Sequence, residues 1–548
     1  MRFLRDLRPA AQAAAPYVAA ALTLAMGMLL LASGARPSEP ERFVRLLATV
    51  PPLLIEVCHF LSSVLGLVLV MLAFGLRARL DAAWAATVAV LLVAAPLSLV
   101  KGIVWEETAM LLALAVALIP FHAAFPRNAR LTRMEVTPGW LFSAACLLAG
   151  AGLIGLWSFE HANYGDMSWW KVMADEDAAR SIRAWAGAAV ALTAFGVWRL
   201  AASAAPPPVV GDEDPLFHHV RAILADADAA RPNSNLALLG DKRFLFSASG
   251  SSFLMFGVRG RTWVSIGAPV GRRDERLELI WRFRELADAH AARPGFYSLE
   301  AEDLPDVVEL GFSIQKIGES ALVPLADFSI EGTRRGNLRR AWRRAGDDGA
   351  SFEVVPPDGV EPLIPELKAI SDAWLERQAG GDKSFSMGGF SPRYIREFPL
   401  AIVRWQGRII AFANIWPVGS RDAFSIDLMR FTEDGPPRIM DFLLVELLLW
   451  GQAEGYAVFD FGMAPLAGLD DRPLAPMMSR VGRLLFERSE EIYNFQGVRH
   501  FKGKCDPLWH PRYVAAPQKW AIPRLLADVG LLASGGVAGL TKRPKRDG

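Results

Sequence analysis

The stretch Phe424–Leu469 holds the densest set of residues that could bind a charged ligand. A strand pattern over "FSIDLMRF" presents one carboxylate and one guanidinium, Asp427 and Arg430. An apolar helix pattern then begins at Arg438, and the unpaired N–H groups and positive dipole at a helix N-terminus suit a phosphate or a carboxylate. The next strand pattern ends in "FGMAPLAGL", where Gly462 marks a loop of the kind that lines sites in α/β folds. Asp427 and Arg430 therefore belong to a ligand site or form a structural ion pair.

A second concentration of charge is the segment "TRRGNLRRAWRRAGDDG", Thr333–Gly349, with six arginines in eleven residues of a chain whose formal net charge is +1. Its apolar side chains recur at helical spacing and predict an amphipathic helix: Leu338, Ala341, Trp342 and Ala345. Acids occur in the segment only at Asp347 and Asp348, so the helix itself hardly offsets the repulsion between arginines. A solvated basic face, anionic lipid headgroups and nucleic acid phosphates all remain open as partners.

Several classes of chemistry are not indicated by the residues. The chain has 3 cysteines and 8 histidines, with no zinc spacing and no H-E-x-x-H motif, so we expect no metal. The pyrophosphate-binding turn of acyl-CoA enzymes, Q/R-x-x-G-x-G/A, is not found, because "QAGGDK" ends in lysine. A serine hydrolase is disfavoured because "GESAL" lacks the second glycine of G-x-S-x-G. Glu446, inside an apolar helix pattern, is expected to be a paired buried charge.

The helices and strands that must position these residues lie in two regions of the chain, which a Pro-rich linker, Ala201–Pro215, separates. Before the linker, six apolar stretches are each long enough, at ~20 residues, to cross a ~30 Å hydrocarbon core as helices. They are predicted at 12–33, 51–76, 83–100, 102–122, 139–159 and 184–204. The distribution of Lys and Arg in the loops weakly favours an N-terminus on the inner side.

After the linker, strand and helix patterns alternate and predict an α/β fold. A similar order occurs on each side of the arginine segment: a strand pair, a long helix and a further strand. The helices are predicted at 275–291 and 438–454. This pattern indicates two related domains, although no sequence identity between them is visible.

Many blocks of the second half resemble the phosphatidylglycerol aminoacyltransferases, the multiple peptide resistance factor or lysylphosphatidylglycerol synthetase family. The blocks cover most of 230–515 and occur in order. They include "ALLGDKRFLFS", "WVSIGAPVG", "DKSFSMGGF", "GRIIAFANIWP", "SIDLMRF", "MDFLLVELLLWGQAEGY", "FDFGMAPLAGL" and "IYNFQGVRHFKGKCDPLWHPRYV". The longest family members carry an additional N-terminal flippase bundle, and we expect this chain to be a short form without it.

The resemblance implies two tandem GNAT-like domains, the first degenerate, joined by a basic helix that meets the acceptor stem of aminoacyl-tRNA. It implies transfer of a lysyl or alanyl group from the tRNA 3′ ester to a hydroxyl of phosphatidylglycerol, without a further cofactor. The product alters membrane charge and gives resistance to cationic antimicrobial peptides. The implied location is the bacterial inner membrane, as a multi-pass protein with its catalytic half in the cytoplasm, and a homo-oligomer remains open.

The same resemblance assigns roles to individual positions. Asp427 would hold the substrate ammonium or act as the base on the glycerol hydroxyl, Arg430 would hold the lipid phosphate or the tRNA 3′ end, and Lys502 or Lys504 would hold phosphate. The further substrate-binding candidates are Arg438, Asp441, Gly462, Met463, Asn494 and Lys504. The tRNA-binding candidates are Arg334, Arg335, Arg339, Arg340, Arg343 and Arg344.

The expected domains are a transmembrane region (1–205), a first GNAT-like domain (206–332), a connecting helix (333–349) and a catalytic GNAT-like domain (350–520). Residues 521–548 would form an interfacial helix with a basic tail. The alternatives are a membrane-tethered GNAT N-acyltransferase, a Fem-like peptidyltransferase and a non-catalytic lipid-binding scaffold.

Overall fold

The computed structural model divides the chain into two compact units, Met1–Pro206 with Asp288–Ala291, and Pro207–Ala287 with Ala292–Gly548. The described residues are 2–34, 51–102, 104–126, 206–211, 214–228, 230–332, 335–377, 384–470, 472–477, 479–480, 483 and 495–535. The predicted spans 139–159 and 184–204, the residues Arg334 and Asn494, and the basic tail lie outside them.

The described part of the first unit consists of helices. They are Arg2–Gly34 (α1), Pro52–Arg77 (α2), Asp81–Gly102 (α3) and Trp105–Leu118 (α4), the last continued by a 3-10 helix, Ile119–Ala124. Within the described residues, three segments are long and apolar enough to cross a membrane: Ala14–Ser33, Asp81–Val100 and Trp105–Ala124. These confirm the apolar helices predicted at 12–33, 83–100 and 102–122. The span predicted at 51–76 coincides with α2, whose apolar part is the shorter Leu61–Arg77.

Helices α1 and α2 approach each other at a pair of glycines. A Cβ on Gly27 would lie 2.8 Å from the carbonyl oxygen of Gly66, and a Cβ on Gly66 would lie 2.8 Å from that of Gly27. Small residues let helices in apolar surroundings pack backbone against backbone. Any larger side chain at either position would push the two helices apart.

The second unit is built on a sheet whose strands follow each other along the chain from residue 243 to residue 516. They are Arg243–Phe246 (β1), Phe253–Arg259 (β2), Thr262–Ile266 (β3), Arg293–Leu299 (β4), Ser313–Pro324 (β5), Ser351–Val355 (β6), Leu400–Trp405 (β7), Arg408–Pro417 (β8), Ala423–Phe431 (β9), Val458–Pro465 (β10) and Leu508–Ala516 (β11). Among the described residues these 11 strands form one sheet, in the order β1-β2-β3-β4-β11-β5-β10-β9-β8-β7-β6.

Helices cover both faces of this sheet. They are Pro215–Asp226 (α5), Arg276–Ala289 (α6), Leu304–Glu309 (α7), Gly336–Asp347 (α8), Ile364–Glu376 (α9), Pro392–Ile395 (α10), Ile439–Ala453 (α11), Phe495–Gly503 (α12) and Ile522–Ala533 (α13). Apolar residues of α5, α9, α10 and α13 share one core, while α8 and α11 pack in a second core and α6 in a third. Side chains of a strand alternate between faces, so in β2 Phe253 and Met255 join the first core and Leu254 and Phe256 the third.

The element order predicted to occur twice is present. Strands β1 to β3 are followed by α6 and β4, and strands β7 to β9 by α11 and β10. In each set the helix crosses over between parallel strands, β3 with β4 and β9 with β10. Strand β11 pairs with both β4 and β5, and β5 pairs with β10, so the two sets share one sheet. The GNAT-like character of each set stays a prediction.

The C-terminal helix corrects one expectation. The apolar face that the sequence assigned to a lipid interface, including Ile522, Leu525 and Val529, is buried in the core beside the sheet. On the same helix, Asp528 accepts a hydrogen bond of 2.6 Å from Thr262 Oγ1 at the start of β3. An amphipathic pattern shows that one face needs cover but not what covers it. Here protein covers the apolar face of α13, so that face does not meet lipid, and the interfacial role of 521–548 as a whole stays a prediction.

Candidate functional site

Asp427 lies at an irregularity in β9. The pairing of β9 with β8 shifts at this point, so that Asp427 and Leu428 together lie opposite Asn414. The side chain of Asn414 repairs the ladder, because its Oδ1 accepts a hydrogen bond of 2.8 Å from the Leu428 N–H. A β-bulge of this kind turns side chains in a direction that a regular strand would not allow.

The carboxylate of Asp427 is held by two donors from the segment after α9. The Gly388 N–H donates to Oδ1 at 2.8 Å, and the Tyr394 hydroxyl donates to Oδ2 at 2.9 Å. Trp416 Nε1 in turn donates to the Tyr394 oxygen at 3.0 Å. Burial, and then the nearby Asp427 charge, raise the pKa of Tyr394 well above its ordinary value, so the phenol keeps its proton. A Cβ at position 388 would lie 1.6 Å from Asp427 Oδ2, so this position requires glycine.

The first set of strands supplies a buried cation to this group. Lys242, just before β1, is 0% exposed and ion-paired with Asp241. Burial lowers the pKa of Lys242, while the Coulombic attraction of Asp241 and then Asp427 opposes that shift. Asp241 Oδ2 also accepts a 2.8 Å hydrogen bond from the Phe385 N–H, and the Phe385 ring centroid lies 5.4 Å from Lys242 Nζ. Lys242 therefore lies in the field of two carboxylates, Asp241 from the first set and Asp427 from the second.

Arg430 lies three residues further along β9 and is also buried, at 2% exposure. Its guanidinium donates to the Ser371 hydroxyl and lies 5.2 Å from the centre of the Trp374 ring, both on α9. Asp427 and Arg430 thus each contact partners of their own on the same side of the sheet. A hydrogen bond and an aromatic face fix the orientation of a planar guanidinium.

A second group of predicted residues lies where β9 and β10 separate. The two strands pair in parallel from Val458 to Asp460, and beyond Asp460 only the pairing of β10 with β5 continues. Gly462, at this divergence, has a φ of 76°, in the left-handed region. Lys502 Nζ donates to the Met463 carbonyl at 3.0 Å. Burial lowers the pKa of Lys502 to about 8, against the attraction of Asp460.

Three further substrate-binding candidates, Arg438, Asp441 and Lys504, meet at the start of α11. Asp441 is buried, and each of its oxygens accepts a hydrogen bond of 2.7 Å, one from Arg438 Nε and one from Lys504 Nζ. Arg438 has a φ of 65° and also donates to the carbonyl of Asn337 on α8, at 3.2 Å. Asp441 therefore already supplies negative charge at this helix N-terminus, and the three residues tie α8, α11 and α12 together.

The basic helix has the predicted buried stripe, with Leu338, Ala341 and Ala345 buried. Glu446 is half-buried, not fully buried as predicted, and its Oε1 accepts a 2.8 Å hydrogen bond from the neutral indole of Trp342. An acid outside the helix segment partly offsets the charge of the arginines. Glu331, just outside the helix, lies 3.2 Å from Arg339 and 3.4 Å from Arg343.

The described arginines of α8 and its cap divide into two kinds. Arg335 faces the protein, since it donates to the carbonyls of Ser329 and Cys505 and lies 4.7 Å from the centre of the Phe328 ring. The side chains of Arg343 and Arg344 are 60% and 72% exposed, and Arg340 is exposed as well. An incoming polyanion would meet the exposed group first.

A family model, that of the C-terminal region of phosphatidylglycerol lysyltransferases, matches residues 221–516, which is more than half of the chain. The chain belongs to this family. The matched region includes the basic helix and every predicted site residue.

Curated family members named phosphatidylglycerol lysyltransferase are similar to this chain over about half of its length. The protein of Bacillus subtilis is 36% identical over 283 residues, which are 52% of this chain and 33% of that protein. The protein of Staphylococcus epidermidis is 29% identical over 310 residues, which are 56% of this chain and 37% of that protein. The chain thus spans about a third of the length of these relatives.

Two solved structures of the family resemble the second unit. The C-terminal domain of a protein described as a lysylphosphatidylglycerol synthetase, from Agrobacterium fabrum, is 37% identical with a TM-score of 0.53, covering 59% of this chain and 98% of that one. L-PGS from Bacillus licheniformis is 33% identical with a TM-score of 0.54, covering 60% and 98%.

Sequence reasoning missed part of the candidate site around Asp427. It selected Asp427 but not Lys242, Tyr394 or Gly388, which surround that carboxylate. Lys242 and Gly388 lie in "ALLGDKRFLFS" and "DKSFSMGGF", two blocks that carry the family resemblance. A lysine directly before an apolar strand was the available signal, but Asp427, whose charge acts on that lysine, is 185 positions away in the chain.

Proposed function

We propose that this chain is a membrane-bound aminoacyltransferase that moves an aminoacyl group from aminoacyl-tRNA to phosphatidylglycerol. The observation that carries the proposal is the family match over 221–516, the region that contains the Asp427 group and the basic helix. In the reaction, a glycerol hydroxyl oxygen attacks the ester carbonyl carbon and the bond to the tRNA 3′ oxygen breaks. The hydroxyl proton ends on that oxygen, so one ester replaces another and no ATP is consumed.

Asp427 is the proposed ligand of the aminoacyl ammonium or the base that accepts the glycerol proton. Its two donors and the bulge support this role, since they fix the carboxylate before substrate arrives, and preorganised charge lowers the cost of the transition state. Arg430, oriented by Ser371 and Trp374, is the proposed contact for lipid phosphate or the tRNA 3′ end.

Lys502 and Gly462 are proposed to line the opening between β9 and β10. With a pKa of about 8, Lys502 is mostly an ammonium at neutral pH and can attract phosphate or the developing oxyanion. Met463 would line the same opening, because its carbonyl positions Lys502. Arg438, Asp441 and Lys504 would act mainly by holding the start of α11, and Asn494 is a proposed substrate contact from its sequence position.

We propose two GNAT-like domains, 206–332 and 350–520, joined by the basic helix 333–349 and preceded by a transmembrane region, 1–205. The repeated element order, with a helical crossover between parallel strands in each set, supports this division. The exposed Arg340, Arg343 and Arg344, together with Arg334, Arg335 and Arg339, would bind tRNA phosphates, so that affinity falls steeply as salt rises. Because tRNA is cytoplasmic, the catalytic half would face the cytoplasm from a multi-pass anchor in the inner membrane.

The test is lipid extraction after expression of the full chain in a bacterium that makes no aminoacylated lipids, with mass spectrometry of the extract. We expect aminoacyl-phosphatidylglycerol from the unaltered chain, and its mass identifies a lysyl or alanyl product. Asp427→Asn should lower the yield at least ~100-fold, as for the loss of a general base. The matched control is Asp372→Asn on α9, an exposed carboxylate that should leave the yield unchanged.

Two outcomes would contradict the proposal. One is an unaltered, membrane-inserted chain that makes no aminoacylated lipid when aminoacyl-tRNA is present. The other is purified protein that works equally well with an acyl-CoA or a free aminoacyl ester and no RNA. An altered cell-wall peptide instead of an altered lipid would favour the peptidyltransferase alternative.

A further inference from the structure

One exposed tryptophan lies among several basic residues at the end of the sheet where β2 turns into β3. Trp520 is 64% exposed and lies in the 3-10 helix Lys519–Ala521, directly before α13. The guanidinium carbon of Arg293 lies 5.4 Å from the centre of a Trp520 ring. The Trp520 patch comprises this pair and the nearby basic residues Arg259, Arg261, Lys519 and Arg524.

Contacts between these residues hold them at one place. The Arg293 N–H donates to the Arg261 carbonyl at 2.6 Å. Arg259 Nε and Arg524 Nε lie 3.6 Å and 3.8 Å from the two carboxylate oxygens of Asp528. One carboxylate thus faces several cations, and the patch keeps a net positive charge.

The patch borders a surface depression whose lining is partly apolar and partly cationic. Arg293 and Arg524 line one shallow depression together with Pro294, Pro517 and Ala521. Its wall is therefore apolar where the prolines and alanine lie and cationic at the two arginines. Guanidinium groups match phosphate oxygens two at a time, and the apolar part suits the glycerol and upper acyl region of a lipid.

We propose that the Trp520 patch docks the second unit onto a bilayer surface rich in anionic phospholipid, with a headgroup phosphate between Arg293 and Arg524. An indole ring favours the membrane–water interface, and the chain itself carries helices able to cross a membrane. A nucleic acid is less suited, because single strands stack on rows of aromatic rings, whereas here one ring carries Arg293 over it. The contact goes beyond the proposed transfer reaction and does not depend on it.

The experiment places a fluorophore on the patch of the full-length protein in lipid nanodiscs. The 3 native cysteines, Cys58, Cys146 and Cys505, are replaced by alanine, and Trp520→Cys is labelled. The matched control is Trp281→Cys on α6, at a tryptophan that is 36% exposed and also has an arginine, Arg284, over its ring at 5.3 Å. Quenching by spin-labelled lipid is compared between zwitterionic and phosphatidylglycerol-containing discs.

We expect lipid quenching at position 520 in anionic discs, little quenching in zwitterionic discs, and none at position 281. Arg293→Gln and Arg524→Gln should each lower the docked fraction relative to the undocked one about fivefold, as ~1 kcal/mol per basic side chain near an anionic surface predicts.

Three outcomes would overturn the proposal. The first is no lipid quenching at position 520 in anionic discs. The second is quenching that changes neither with lipid charge nor with either arginine substitution. The third is a fluorophore that lipid never reaches but added tRNA shields, which would make the patch an RNA surface. Transfer activity is not the readout, so failure here leaves the proposed reaction untouched.

Discussion

Lys242 gives the sharpest prediction about the Asp427 site. We expect Lys242→Met to lower both the stability of the second unit and the rate of aminoacyl transfer. Removal of one partner of a buried ion pair costs about 3–5 kcal/mol, because the other charge is left without compensation. Asp241 is 31% exposed and keeps the hydrogen bond from the Phe385 N–H, so water can solvate part of its charge. The expected loss of stability is therefore below that range, about 2–3 kcal/mol.

The effect on activity has a separate cause. A cation near a carboxylate stabilises its charged form by an amount equivalent to about 1–3 pH units. Without Lys242, the carboxylate of Asp427 loses that attraction, so aminoacyl transfer should slow. The assay measures aminoacyl transfer into phosphatidylglycerol vesicles across a pH series, with thermal unfolding of the same full-length preparation.

A second variant separates the two effects. In Asp241→Asn/Lys242→Met, the uncompensated carboxylate is gone, so stability should recover toward that of the unaltered protein. Activity should stay low, because Asp427 still lacks its cation. If the double variant recovered activity together with stability, Lys242 would be only structural and the reasoning would be refuted. Lys368→Met, which breaks an exposed ion pair with Asp372, should change stability by less than about 0.5 kcal/mol.

Three further predictions test neighbouring parts of the site. Gly388→Ala should abolish most transfer activity, because the new Cβ would lie 1.6 Å from Asp427 Oδ2, and near-unaltered kinetics would contradict the described position of that carboxylate. Arg343→Gln and Arg344→Gln should each lower the slope of log affinity for tRNA against log salt by about one, measured by filter binding, whereas Arg335→Gln should mainly lower thermal stability. The pKa of Lys502 is lowered to about 8 in the folded protein, so above that pH the unfolded chain binds more protons than the folded one. The free energy of unfolding should therefore rise between about pH 8 and 10.5, by on the order of 3 kcal/mol. Lys502→Met should remove this rise, as measured by denaturation across a pH series.

The sequence predicted elements better than contacts between them. The periodicity of 438–454 and 275–291 predicted α11 and α6 within two residues at each end, because a buried helix face leaves a local signal. The apolar stripe of α8 was predicted for the same reason. The contacts of Arg335 and Arg339 were not predicted, because their partners, the carbonyl of Cys505 and the carboxylate of Glu331, lie outside the helix. The prediction that lipid covers the apolar face of α13 was wrong for a similar reason, since lipid and protein satisfy the same apolar pattern equally well.

The site around Asp427 shows the same limit more strongly. A lone aspartate in a strand pattern does not reveal that a bulge turns it, nor that a glycine and a tyrosine from a separate segment bind it. These contacts depend on how the segment after α9 returns to the sheet. That segment has no periodic apolar pattern from which its path could be predicted. Family resemblance selected Asp427 and Arg430, but the charge balance around them became visible only in three dimensions.

The first set of strands is more than a platform for the second. It supplies Lys242 to the Asp427 group, and it receives β11 between β4 and β5. Arg512 on β11 fixes this insertion, because its buried guanidinium donates to Ser320 at 2.7 Å and to Asp460 at 3.2 Å and is also ion-paired with Glu300.

Loss of the first set would therefore expose the unpaired edge of β10, leave Arg512 without Glu300 and Ser320, and remove the cation near Asp427. A degenerate half that had lost its own chemistry would still be retained, because the other half cannot form its site alone. For this reason we expect 333–548, expressed without 206–332, to aggregate through that strand edge rather than to fold with reduced activity.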